Sequence, residues 1–194
     1  MMKKALILGS GLALVLALTP GASSAQSKAP AAPEKMVYDA ASAMEYFKGL
    51  SGDWQAGALG HEHGSSPASS YGNSLSFKTK ANGSAVVQTS GAGTKNEMET
   101  IFHMDGDKLL LTHYCALQNA PVLRFEKTNK PGEIKFVFDG GTNFDPKVDA
   151  HFHEGTFQVK DKDTLEQHFT VFSNGQATPE GHTLLKRKQT SSSQ

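Results

Sequence analysis

Residues 97–115 read Glu97-Met98-Glu99-Thr100-Ile101-Phe102-His103-Met104-Asp105-Gly106-Asp107-Lys108-Leu109-Leu110-Leu111-Thr112-His113-Tyr114-Cys115. Two runs of β-forming residues flank Met104-Asp105-Gly106-Asp107, and Asp-Gly is a favoured two-residue hairpin turn. With Asp105-Gly106 as the loop, Phe102 pairs with Leu109, Thr100 with Leu111 and Met98 with His113. Side chains directly opposite one another share a face. One face then carries Met98, Phe102, Leu109, Leu111, His113 and Cys115, and the other Glu97, Glu99, His103, Lys108, Thr112 and Tyr114. The first is the apolar face, so it is predicted to be buried with His113 pointing inward. A one-residue slip in pairing would exchange the two faces.

The same pattern recurs downstream. Residues 122–127 and 133–138 flank Asn129-Lys130-Pro131-Gly132, with Leu123, Phe125, Ile134, Phe136 and Phe138 as the inner set and Arg124 outside. Residues 151–159 and 164–172 flank the charged turn Lys160-Asp161-Lys162-Asp163. Their odd-numbered positions His151, His153, Phe157, Val159, Leu165, Phe169 and Val171 form an apolar face, which turns His151 and His153 inward as well. Further strands are predicted around Trp54, over 75–80 and 84–89, and over 182–188. One helix precedes them, with Asp39 as its cap, Ala40, Ala43, Met44 and Phe47 at helical spacing, and Gly49 as a left-handed stop before Leu50. The fold class is all-β: an antiparallel up-and-down barrel of about eight to ten strands with one short N-terminal helix as lid or plug. Closure leaves no unpaired edge.

The start of the chain reads as an export signal. Met1 to Lys4 carry two lysines, residues 5–18 are almost wholly apolar, Thr19-Pro20 breaks the run, and Ala22-Ser23-Ser24-Ala25 fits a cleavage site. The expected division is a signal peptide over 1–25, a flexible Ala/Pro/Ser-rich leader over 26–36, the barrel domain over 37–188 and a disordered tail over 189–194. The expected localisation is therefore periplasmic or extracellular, with no integral membrane segment after cleavage. Nineteen basic residues balance nineteen acidic ones, so no field favours nucleic acid. A single cysteine, Cys115, rules out an intrachain disulfide, and on the inner face it reads as a small hydrophobe.

Leu50-Ser51-Gly52-Asp53-Trp54 after a short helix resembles the opening of calycin-type barrels, the lipocalin and fatty-acid-binding group, in which tryptophan plugs the base. The chain also resembles a group of secreted bacterial proteins with that fold. That resemblance is carried by residues 102–107, the string Leu111-Thr112-His113-Tyr114-Cys115, Asn119-Ala120-Pro121, His151-Phe152-His153 and residues 170–175. The chain departs from the group at Ala120, where glutamine is usual, and at Phe169, where tryptophan is usual. The resemblance implies a calycin-like barrel and supplies no activity.

Three histidines on a concave face are the informative chemistry. The leading expectation is a binding module whose pocket, lined by Met98, Phe102, His113, Phe125, Phe136, His151 and His153, accepts a small organic ligand. The rival is a metal-dependent hydrolase or isomerase in which His113, His151 and His153 hold zinc. A haem-binding barrel is a third candidate, with His182 or His151 on the iron. His61 and His63 sit in a long Gly/Ser-rich connection that suits a lid over the mouth.

Overall fold

The computed structural model describes residues 31–58 and 74–189. The segment expected to be an export signal, His61 and His63, and residues 190–194 lie outside them. Among the described residues ten strands follow one α-helix: α1 (Ala40–Gly49), β1 (Gly52–Ala58), β2 (Ser74–Lys80), β3 (Ala85–Ser90), β4 (Met98–Asp105), β5 (Lys108–Tyr114), β6 (Ala120–Glu126), β7 (Glu133–Thr142), β8 (His151–Val159), β9 (Thr164–Ser173) and β10 (Gln176–Arg187). Each strand pairs antiparallel with its neighbours in sequence, and β1 pairs with β10, so the sheet closes. The turns after β2, β4, β6 and β8 gather at one end with α1. The loops after β3, β5, β7 and β9 form the mouth.

The β4–β5 hairpin keeps the expected faces but moves the turn by one residue. Asp105 pairs with Lys108, so the loop is Gly106-Asp107, and Phe102 faces Leu111 while Thr100 faces His113. Gly106 has φ of 61° and Asp107 is not left-handed, which is the pattern of a type II′ turn with glycine first rather than Asp-Gly in type I′. Moving the loop by one residue changes each partner by two. Parity survives, and Met98, Phe102, Leu109, Leu111 and His113 are all buried.

Asp39 accepts the Ser42 backbone N–H at 2.8 Å and Ser42 Oγ accepts the Asp39 N–H at 2.9 Å, a reciprocal cap that starts α1. Gly49 stays helical, contrary to the left-handed stop expected there; the chain leaves the helix through Leu50, whose N–H bonds the carbonyls of Phe47 and Lys48. The remaining carbonyls find a cation instead. Arg187 donates to Gly49 O at 3.1 Å, Leu50 O at 3.3 Å and Ser51 O at 2.9 Å, bonds Asp163 at 3.0 Å, and lies 4.5 Å over the Trp54 ring. A guanidinium at a helix C-terminus both satisfies orphan carbonyls and complements the helix dipole. Trp54 Nε1 adds a bond to Leu50 O at 2.8 Å. Arg187→Met, which keeps the stem and removes every donor, is expected to lower unfolding free energy by about 2–3 kcal/mol in urea titrations. A loss below about 0.5 kcal/mol would show that these bonds merely replace water.

The helix fills the base of the barrel from within. Phe47 is fully buried, nearly parallel to Phe102 at 4.1 Å and edge-on to Phe157 at 5.1 Å, with Phe136 at 6.1 Å. Trp54, Phe77, Leu109, Ile134, Val159 and Leu165 complete an apolar plug. Residues 33–36, expected to be the end of a flexible leader, join it at the rim: Tyr38 donates to Pro33 O at 2.9 Å, and Gly132 N–H bonds Met36 O at 2.8 Å. No helix among the described residues is long and apolar enough to cross a membrane.

Candidate functional site

Above the plug, toward the mouth, the inward rows change character. Gln88 on β3, Thr100 on β4 and His113 on β5 are each at least nine-tenths buried. Gln88 Nε2 donates to Gln167 Oε1 of β9 at 2.9 Å. Strands β3 and β9 are not neighbours in the sheet, so this bond crosses the interior. Thr100 Oγ1 and His113 Nδ1 are 2.8 Å apart, a pairing set by their places opposite one another in the β4–β5 ladder.

His113 is one of three residues among those described whose side chain holds a buried polar atom without a partner, the others being Tyr46 at its hydroxyl and Asn119 at Oδ1. His113 is only 4% exposed, and its Nε2 is buried with no hydrogen-bond partner among the described residues. Its ring meets Phe152 edge-on at 4.3 Å and Phe169 at 6.5 Å. Burial pushes the imidazole down to a pKa of about 3, because the charged form has lost its water. It is therefore a neutral ring near pH 7, with one nitrogen engaged by Thr100 and one unspent. A buried polar atom left without a partner costs about 1–3 kcal/mol.

A β-bulge decides which residues of β8 join it. The β8–β9 register shifts between Phe152 and Glu154, so Phe152 pairs with Val171 and Gly155 with Phe169. Bulges re-aim side chains, and here Phe152 takes the place beside His113 that strict alternation assigned to histidine. Gly155 makes room for its cross-strand neighbour. A Cβ there would stand 2.8 Å from the Phe169 ring, which folds across the glycine into the interior.

His151 and His153 form a separate cluster where the β7–β8 ladder has ended at Val137 and Glu154. His153 is stacked between Phe138 at 4.8 Å and Phe172 at 4.5 Å; His151 lies 4.9 Å from Phe138 and 4.7 Å from Phe144. His151 Nδ1 is 2.8 Å from Asp149 O, and its Nε2 is 3.1 Å from His153 Nδ1. A carbonyl only accepts, so His151 Nδ1 donates to Asp149 O, and in the neutral ring Nε2 accepts from His153 Nδ1. Both nitrogens of His151 are thereby engaged. Desolvation, and then the neighbouring His151, lower the pKa of His153.

The seven residues expected to line one pocket thus stand in three places. Phe102, Phe125 and Phe136 belong to the plug or pack against it, Met98 and His113 lie in the upper interior, and His151 and His153 occupy the β7–β8 seam. The three histidines expected to share a zinc are not gathered around one point: among the described residues no group of three His, Cys, Asp or Glu side chains is placed to hold a metal ion. Of the two haem candidates, His151 has no nitrogen to spare. His182 lies half-exposed beside His168 at 5.7 Å, its Nε2 3.8 Å from Glu166.

A groove of about 580 Å³ opens at the mouth, lined by Glu97, Met98, Glu99, Tyr114, Cys115, Gln118, Asn119, Ala120, Thr142 and Asn143. Met98 and Cys115, whose sulfurs are 3.9 Å apart, continue the inward rows of Thr100 and His113 to the rim. Asn119 bridges two mouth loops by donating to Ala150 O at 2.8 Å. Gln88, Thr100, Gln167 and Phe152 were not singled out by the sequence. Only the alternation on β3 and β9 marks the two glutamines, as polar residues at positions in phase with apolar ones. Neither a family model nor a curated protein matches the chain.

Proposed function

We propose that this protein is an exported binding module that holds a small organic molecule in the upper half of its barrel, with His113 as the polar anchor. The export half of the reading rests on the lysine-then-apolar opening of the chain and its small-residue break. The binding half is supported by the pairing of an apolar wall, Met98, Phe152 and Phe169, with a few convergent polar groups, Gln88, Thr100, Gln167 and His113, which is the composition of ligand sites. The observation that carries it is the buried, unpartnered Nε2 of His113. A ligand group that bonds this nitrogen removes a standing cost, and Phe152, edge-on to the ring and only partly buried, is the side chain that must yield to admit it.

The test is a thermal-shift screen of small uncharged aromatic alcohols, amides and esters. A ligand at 100 times its Kd is expected to add about 2.7 kcal/mol of stability. For the best binder, His113→Ala should weaken affinity about tenfold or more. Unchanged affinity in that variant would remove His113 from the site.

A further inference from the structure

The groove at the mouth joins a buried floor to an acidic rim. Met98 and Asn119 form the floor, each only 6% exposed. Cys115 N–H donates to the Asn119 backbone carbonyl at 3.0 Å, and Asn119 Nδ2 donates to Ala150 O at 2.8 Å. The amide is thus fixed by its nitrogen and cannot turn to relieve its oxygen, and Oδ1 is buried with no partner among the described residues. A donor that reaches it removes a desolvation cost the folded protein otherwise bears. On the rim, Glu97 stands immediately before β4 and Glu99 within it. They are the charged residues lining the groove; no lysine or arginine lines it. Among the described residues neither makes an ion pair. Glu97 is held in place by the Gly93 N–H, which its Oε2 accepts at 2.6 Å. Tyr114 lies directly opposite Glu99 in the β4–β5 ladder and is half-exposed. Across the groove a bond from Asn143 Nδ2 to Gln118 O ties the loops after β5 and β7 together.

We infer that this groove is a second binding site, for a protonated primary amine on an apolar or aromatic body, with Asn119 Oδ1 as its anchor. The groups lining it favour one kind of partner. An amide oxygen, two carboxylates and the face of a phenol ring all attract positive charge, and a primary ammonium brings three N–H donors and no acceptor. A neutral alcohol could bond Oδ1 but would leave both acids unused. A carboxylate would meet them as like charges. A bare metal ion fits less well, because among the described residues no three His, Cys, Asp or Glu side chains are placed to hold one. The two parts of the site contribute unequally. Glu97 and Glu99 are exposed, so water and salt screen their attraction. A hydrogen bond in which one partner is charged is about twice as strong as a neutral one, and here the acceptor is already out of water. Asn119 therefore selects for N–H donors, and the acids steer cations to the mouth. The site does not depend on the binding role of His113, which is not among the residues lining the groove.

Three probes with one skeleton separate charge from hydrogen bonding: 2-phenylethylammonium, its N,N,N-trimethyl analogue and 2-phenylethanol. Affinities are measured at pH 7 and low salt by calorimetry, while NMR follows the side-chain amide of Asn119 and the ring of His113. The primary ammonium should bind, shift the Asn119 amide and leave His113 unmoved. The trimethyl analogue, which keeps the charge and loses every N–H, and the alcohol should each bind at least about tenfold more weakly. Replacing both acids, Glu97→Gln with Glu99→Gln, alters only exposed side chains; it should weaken the primary ammonium by about threefold to tenfold and flatten its salt dependence. A trimethyl analogue or an alcohol that binds within tenfold of the primary ammonium would overturn the inference, because Asn119 would then not be selecting for N–H donors on a cation. Unchanged affinity in the double variant would overturn the part given to the acids. An ammonium that fails to bind, or that shifts His113 and not Asn119, would remove the site altogether. None of these results bears on whether neutral ligands bind at His113.

Discussion

Phe47→Ala is expected to remove about 3–5 kcal/mol of unfolding free energy, the largest single loss available from α1. Phe47 is fully buried and its ring is in contact with rings from three strands, Phe102 of β4, Phe136 of β7 and Phe157 of β8. Truncation costs the transfer energy of the lost ring plus a term for whatever cavity stays open, so the position in the range depends on how far the surroundings can collapse. Here they collapse little. Phe102 and Leu111 sit opposite one another, as do Phe136 and Gly155, and Phe157 faces both Ile134 and Gln167, each within continuous ladders. The helix cannot slide inward either, because its end is tied to Arg187 and its start to the Asp39–Ser42 cap. Urea unfolding monitored by Trp54 fluorescence measures the loss. A value below about 1 kcal/mol would mean that α1 rests on the barrel and is not part of its core.

That plug also explains how much of the molecule the sequence could disclose. Strand faces were legible because alternation depends only on parity. The misplaced turn at Asp105-Gly106 changed the partners of Phe102 and Thr100 and left their faces alone. The capped helix was legible too, from Asp39 and the spacing of Ala43, Met44 and Phe47. What it fills was not: Phe102 and Phe136 look like pocket lining until Phe47 is found between them. His151-Phe152-His153 misleads for a different reason. Period-two alternation assumes an unbroken strand, and the bulge before Glu154 carries no glycine or proline to announce itself, yet it puts Phe152 beside His113. The bond from Gln88 to Gln167 joins residues on strands that are not neighbours in the sheet. No local pattern encodes a contact across a closed barrel.

Acidification should expose the neutrality of His113 as a loss of stability confined to a definite window. In the unfolded chain histidine titrates near 6.5, and in the folded protein His113 titrates near 3. Above pH 6.5 both states hold the ring neutral, so its contribution is constant. Between 6.5 and 3 the unfolded chain binds a proton that the folded protein refuses, and stability must fall as pH falls, by roughly 3 kcal/mol at pH 4. His153 and His168 are lowered as well, mainly by burial, and slope the same way. The contribution of His113 is therefore isolated as a difference. His113→Phe removes the titrating ring at similar volume; it leaves Thr100 without its partner and also removes the unpartnered Nε2, two terms of opposite sign and about 1–3 kcal/mol each that do not vary with pH. Urea titrations from pH 7 to pH 4 should show the stability of the wild type relative to the variant falling by roughly 3 kcal/mol as the medium acidifies, whichever protein is ahead at pH 7. Parallel curves would mean that His113 protonates as easily folded as unfolded. A ring that accessible to protons would be accessible to water, its Nε2 would be solvated, and the vacancy on which the binding role depends would not exist.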